Sequence, residues 1–136
     1  MTTPTKEDYL RAIDHLREQN QRNVKAIEVA QYMKLAKSTV SERLVELAEE
    51  KLIKHERYSS LELTKKGDKL ARRLTYKHRV IEVFLKDILH VENNKEIHNE
   101  AHKLEHAFSD KTIEKLSDFL DNPRYCPHGQ PLPKIS

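Results

Sequence analysis

A chain of 136 residues with 37% apolar content has room for one domain or two small ones and only a modest core, so part of its burial is expected against a partner subunit. Its single cysteine, Cys126, excludes an internal disulfide framework, its two glycines leave no glycine-rich loop for a nucleotide, and no apolar run reaches the length of a membrane span or signal core. The net charge of +3 is uneven: residues 1–75 hold 16 Lys and Arg against 12 Asp and Glu, and residues 76–136 hold 9 against 10, which makes the first half the candidate face for a polyanion.

Helical spacing of Tyr9, Leu10, Ile13 and Leu16 behind Pro4-Thr5 predicts a first helix over residues 7–19. After a polar break at residues 20–23, residues 26–33 predict a short second helix with Ile27, Ala30 and Met33 inward. Leu35-Ala36-Lys37 turns the chain into a third helix over residues 38–50, with Val40, Leu44, Leu47 and Ala48 inward. Thr39-Val-Ser-Glu42 has the spacing of a capping box at its start. Residues 52–57 and 61–64 then form a short hairpin, the second piece alternating apolar and polar as a half-buried strand does. A long helix over residues 65–90 follows, and its second half (Tyr76, Val80, Val83, Phe84, Leu85, Ile88, Leu89) is too apolar to face water. Asn93 or Asn94 caps the next helix, and Ser109-Asp110 a final one with Ile113, Leu116, Phe119 and Leu120 inward. Residues 123–136 hold four of the five prolines and are expected to be extended.

The chemistry concentrates in residues 98–106, His-Asn-Glu-Ala-His-Lys-Leu-Glu-His. At about 100° per residue, His98, His102, Glu105 and His106 fall within an arc of roughly 100°, beside an apolar stripe of Ile97, Ala101, Leu104 and Phe108. Three imidazoles and a carboxylate on one arc are a ligand set for a divalent transition metal. His78 and Glu82, four apart on the long helix, can share an ion or simply pair. His15, His55 and His90 read as surface or boundary histidines.

Three short helices followed by a two-stranded hairpin make a winged helix-turn-helix. Ser38, Thr39, Ser41, Glu42 and Arg43 cluster at the first turns of the third helix, where side chains reach base edges and hydroxyls suit phosphate. Lys37 just ahead, and Arg57 and Ser59 on the hairpin, extend the candidate DNA-binding set, with Lys54, Lys65, Lys66 and Lys69 adding positive charge.

With these motifs in order, the chain resembles the diphtheria toxin repressor family of metal-dependent repressors, which includes the manganese transport regulators. The resemblance runs from residue 4 to about 133. It rests on residues 7–13 (Glu-Asp-Tyr-Leu-Arg-Ala-Ile), 38–41 (Ser-Thr-Val-Ser), 63–67 (Leu-Thr-Lys-Lys-Gly) and 77–85 (Lys-His-Arg-Val-Ile-Glu-Val-Phe-Leu). His102-x-x-Glu105-His106-x-x-Ser109-Asp110 and Cys126-Pro-His128-Gly129 complete it. It implies a mainly α fold: a winged helix-turn-helix DNA-binding domain over residues 1–73, then an all-helical metal-binding and dimerisation domain with an extended tail over residues 74–136. Carried over by position, it puts Asp8, His102, Glu105 and His106 in a core metal site and His78, Glu82 and His98 in an ancillary one. Cys126 and His128 are further candidates, since the Cys-Pro-His segment contributes ligands in some manganese regulators. Two positions depart from the pattern: His102 stands where relatives have Cys or Glu, and Arg11 where the Bacillus-type manganese regulators have a second Glu. No counterpart of the SH3-like third domain of the larger relatives is expected.

The resulting expectation is a cytoplasmic homodimer that binds a palindromic double-stranded operator and represses metal-homeostasis genes when loaded with iron(II) or manganese(II), zinc(II) being the third candidate. Two other readings compete. His102-x-x-Glu105-His106 matches the H-x-x-E-H of inverted zinc metalloproteases, although the chain is short for such an enzyme. Alternatively, the chain is a metal-independent winged-helix regulator whose histidines are structural.

Overall fold

The computed structural model describes residues 5–55 and 60–133. Thr5 opens the first helix, α1 (Lys6–Asn20), with a reciprocal cap. Its hydroxyl accepts from the Asp8 N–H at 3.2 Å, and an Asp8 carboxylate oxygen accepts from the Thr5 N–H at 2.7 Å. Tyr9, Leu10, Ala12 and Ile13 are buried, and the helix stops at Gln21, which takes the left-handed conformation (φ 56°). The Glu28 carboxylate accepts from the Lys25 N–H at 3.0 Å and fixes the start of α2 (Ala26–Met33). Val29 and Ala30 are the buried residues of α2, whereas Ile27, expected inward, is 39% exposed. Ile27 lies two residues, about 200°, around the helix from Val29, so the two cannot share a buried face.

In α3 (Lys37–Glu49) Val40, Leu44 and Leu47 are buried at i, i+4, i+7 spacing, as their periodicity predicts. The helix begins at Lys37 behind Ala36, with no side-chain cap. Thr39 and Glu42 therefore lie inside it, and the capping-box expectation fails. Strands β1 (Ile53–His55) and β2 (Leu61–Leu63) pair antiparallel with Ile53 opposite Leu63 and His55 opposite Leu61. The Leu61 N–H also donates to the Val24 carbonyl at 2.6 Å, which ties the strand to the loop ahead of α2. Arg57 and Ser59 lie outside the described residues.

Thr64 fastens the strand pair to the long helix α4 (Lys65–Asp87). Its hydroxyl donates to the Lys51 and Leu52 carbonyls at 2.7 and 3.1 Å and accepts from the Gly67 N–H at 3.0 Å. Gly67 is needed there because a Cβ would stand 1.9 Å from the Leu52 carbonyl oxygen. The chain divides into two compact units inside α4, between Arg72 and Arg73. The helix ends at Asp87, three residues short of the predicted end, and His90 beyond it is left-handed (φ 58°).

In the second unit, Asn93 accepts from the Glu96 N–H at 3.0 Å to start α5 (Asn94–Leu104), and Ser109 accepts from the Thr112 N–H at 3.1 Å to start α6 (Asp110–Phe119). Val80, Ile81, Leu85, Ile97, Ala101 and Ile113 form the core. Tyr76 and Leu120 pack against it, but Phe119, expected inward, is 67% exposed. Leu120 follows Ile113 and Leu116 at i+7 and i+4 on the packed face, and Phe119 lies at its edge. The described part of the tail is also not extended. Cys126 N–H donates to the Gln130 carbonyl at 2.8 Å and Leu132 N–H to the Arg124 carbonyl at 2.9 Å, closing a hairpin around Gly129. Arg79, 2% exposed on α4, pins that hairpin by donating to the Pro131 carbonyl and, at 3.4 Å, to the Gln130 side chain. Proline thus shaped a turn here rather than an open strand. Among the described residues no helix is long and apolar enough to cross a membrane.

Candidate metal centre and nucleic-acid interface

Two carboxylates, Glu82 on α4 and Glu105 just past α5, are 1% and 0% exposed, in a unit whose core is otherwise aliphatic. A buried carboxylate is costly unless cations or strong donors face it. Around Glu82 the donors come from three separate stretches. His128 Nδ1 from the tail hairpin stands 3.1 Å from Glu82 Oε2, His78 Nε2 from α4 3.5 Å, and His98 Nδ1 from α5 3.8 Å. His78 Nε2 and His98 Nδ1 are 3.2 Å apart. The buried Cys126 thiol joins Glu82 and His128 in a group whose ligand atoms lie within 4.8 Å of one another.

Burial alone would raise the Glu82 pKa. Contacts from His78 and His98, and charge on His78 and His128, outweigh it and hold this carboxyl at about 2 against an ordinary 4.5. Yet Glu82 Oε2 accepts no well-aligned hydrogen bond, and neither does His78 Nδ1 make one. Atoms bonded to one ion at about 2.1 Å stand about 3.0–3.4 Å apart in octahedral or tetrahedral geometry. Separations of 3.1, 3.2 and 3.5 Å, with His98 farther from Glu82 at 3.8 Å, approach that spacing, and imidazole, carboxylate and thiol are donors that suit a divalent ion.

The second group forms around Glu105. His102 Nδ1 is 3.0 Å and His106 Nε2 3.9 Å from Glu105 Oε1, and His78 Nδ1 is 3.4 Å from Glu105 Oε2. The arc predicted across residues 98–106 is thus split. α5 ends at Leu104, and its C-cap Glu105 keeps helical geometry (φ −58°, ψ −32°), its N–H donating to the Ala101 carbonyl at 2.9 Å, so His98 and His102 are one turn apart along the same helix. His98 faces Glu82, while His102 and His106 face Glu105. His78, assigned from sequence to Glu82 alone, stands between both carboxylates with one ring nitrogen toward each. An imidazole so placed can ligate an ion through one nitrogen while the other is oriented by a carboxylate. No sequence signal marks that dual position, because it depends on the packing of α4 against α5. Asp8, the remaining candidate ligand, is 8% exposed in the first turn of α1 and has a carboxylate oxygen in the Thr5 cap.

On α3 the outward arc is Ser38, Ser41, Glu42, Val45 and Glu49, all exposed and within about 100° of one another. Lys37 and Thr39 are exposed on its flanks. Arg43, a candidate for base or phosphate, is turned elsewhere. Its Nη1 is 3.0 Å from Glu46 Oε2, and its guanidinium lies beside the Tyr9 phenol, offsetting part of the rise that burial gives the Tyr9 pKa. Glu42 therefore does not orient Arg43, since that guanidinium already has Glu46. Val45 was not singled out from sequence, although helical phase with Ser38 and Glu42 would have found it.

A family description, iron dependent repressor, N-terminal DNA binding domain, matches residues 1–61, and a second, iron dependent repressor, metal binding and dimerisation domain, matches residues 64–134. The HTH-type transcriptional regulator MntR of Bacillus subtilis is 32% identical over 120 residues, covering 88% of this chain and 82% of its own. The diphtheria toxin repressor of Corynebacterium glutamicum is 33% identical over 131 residues, covering 96% of this chain and 57% of its own. A solved manganese-dependent transcriptional repressor in complex with manganese superposes with a TM-score of 0.87 at 34% identity, over 96% of this chain and 59% of its own. This chain therefore spans a little under three fifths of those last two proteins. With DNA-binding and metal-binding halves both matched in order, the chain belongs to the iron-dependent repressor family of metal-dependent transcriptional regulators.

Proposed function

We propose that this protein is a homodimeric, metal-activated repressor that acts in the cytoplasm on a palindromic operator controlling iron or manganese homeostasis genes. The observation that carries this reading is the pair of buried carboxylates, each ringed by imidazoles, in a chain whose other unit is a winged helix-turn-helix. Glu82, His78, His98, Cys126 and His128 would hold one ion, and His102, Glu105 and His106 a second with Asp8 as a ligand from the DNA-binding unit. A bound divalent ion supplies positive charge that neutralises the buried carboxylates and cross-links the segments bearing them. Carboxylate and imidazole donors suit iron(II) and manganese(II), and the thiol of Cys126 adds a softer ligand that also suits zinc(II).

Ile88 and Leu89 after α4, Phe119 at the end of α6 and Tyr125 on the tail hairpin are 42%, 54%, 67% and 63% exposed, and this apolar surface supports a dimer. The DNA-reading set would be Ser38, Ser41 and Glu42 toward bases, with Lys37, Thr39, Arg57 and Ser59 toward phosphates. The protease reading has less support. There Glu105 would activate a water at an open site, whereas that carboxylate is 0% exposed.

The test is an anaerobic titration of iron(II), manganese(II) or zinc(II) into the full chain with DNA enriched from a random library, read by fluorescence anisotropy. Metal is expected to tighten operator binding at least about tenfold, and Asp8→Asn, which retains the Thr5 cap, to reduce that gain. Equal affinity with metal and with chelator would overturn the proposal in favour of metal-independent regulation.

A further inference from the structure

We infer that Val45 is a specificity-determining residue that packs against the C5-methyl of a thymine in the major groove. The inference rests on the reading of α3 as the DNA-reading helix. Val40, Leu44 and Leu47 occupy the buried face of α3, whereas Val45 lies on the opposite side and is 53% exposed. It shares its arc with Ser38, Ser41 and Glu42, one turn further along. β-branched residues are among the poorer helix formers, and Val45, half exposed, gains little burial in return.

The neighbours set what this face can meet. The Arg43 charge is engaged by Glu46 at 3.0 Å, and Lys6 Nζ lies 2.8 Å from Glu50 Oε2. Both pairs sit on the flank and soften carboxylates that would otherwise repel phosphate. The outward arc itself carries no cation: two hydroxyls, the Glu42 carboxylate, the Val45 isopropyl group and then Glu49. Such a face is suited to base edges rather than backbone. The thymine methyl is the one apolar group that those edges display in the major groove, and aliphatic contact is how it is recognised. Val45 lies about 4.5 Å further along the helix axis than Glu42. Since base pairs stack about 3.4 Å apart, the thymine is expected one or two pairs from the base that Glu42 reads.

The experiment uses the full chain with manganese(II) and the sequence it enriches from a random duplex library. Each thymine of that sequence is replaced in turn by deoxyuridine, which keeps every hydrogen-bonding group and lacks only the methyl. At one position per half-site the replacement should weaken wild-type binding about three- to tenfold. In Val45→Ala that penalty should vanish, while affinity for unrelated DNA stays unchanged and the melting temperature does not fall. If no deoxyuridine position matters to the wild type, or if Val45→Ala retains the full penalty, the assignment is wrong. Ser41→Ala and Glu42→Ala separate the two levels. If they change the preferred sequence and Val45→Ala does not, only the role of Val45 falls; if none of the three does, or nothing is enriched, the reading of α3 falls with it.

Discussion

The two units of this chain bury charge to different depths. In the first, the buried side chains are mainly apolar (Tyr9, Leu10, Ile13, Leu44, Leu47, Leu61), and ion pairs such as Lys6–Glu50 and Arg17–Asp68 sit toward the surface. In the second, His78, Arg79, Glu82 and Glu105 are all 5% exposed or less beside a short aliphatic core. Partly exposed pairs contribute little to stability, whereas buried carboxylates demand compensation. The first unit buries charge less deeply, with Asp8, Arg11 and Asp14 at 7–9% exposure, and is held mainly by packing. The second holds groups whose electrostatic cost a bound cation would offset, and its stability is expected to follow metal concentration.

The sharpest way to separate the units is Gly67→Ala. The new Cβ would overlap the Leu52 carbonyl oxygen, a backbone atom that cannot swing away. A loss of more than about 3 kcal/mol is expected in the first unit, with DNA binding abolished and manganese(II) binding by the second unit retained. Calorimetric titration alongside urea unfolding measures both. Loss of metal binding together with the fold would show that the units do not behave separately.

Metal itself should act the other way round. Manganese(II) at 100-fold its dissociation constant is expected to stabilise the protein by about 2.7 kcal/mol. The gain in amide protection should concentrate in α5 and residues 123–133, where the candidate ligands lie, and be small in α2 and α3. Hydrogen exchange with and without chelator reads this, and equal gains in both units would break the comparison.

A smaller effect is expected from acid on the metal-free protein. The folded pKa of Glu82, about 2, lies below the ordinary 4.5, so the folded state binds fewer protons between those values. Its contribution is complete above pH 4.5 and is lost as pH falls toward 2. Glu82→Gln should flatten the dependence of stability on pH across that window, as followed by circular dichroism. An unchanged slope would mean that the histidines around Glu82 do not stabilise its charge. The smallest effect concerns the first unit. Because Arg43 is engaged by Glu46, Arg43→Ala should change affinity for unrelated DNA by less than about twofold, while Lys37→Ala weakens it more. A larger loss for Arg43→Ala would mean that its side chain leaves Glu46 when DNA binds.

Local signals determined the elements. The i, i+4, i+7 spacing of Val40, Leu44 and Leu47, the caps at Asn93 and Ser109, and the alternation of Leu61-Glu62-Leu63 act within a few residues, and the helices and hairpin follow them closely. The ligand types in residues 98–106 were equally legible. Tertiary structure decided which carboxylate each imidazole meets. His98 and His102 lie one turn apart on α5, so packing against α4 sets the first beside Glu82 and the second beside Glu105, with His78 between the two carboxylates. The hairpin held by Arg79 carries Cys126 and His128 to Glu82, more than 40 residues away in the chain. Periodicity and capping are set by neighbours three or four residues apart, so a sequence displays them. The meeting of a tail histidine with a mid-chain carboxylate depends on how helices pack and where a turn closes, which no short stretch of residues encodes.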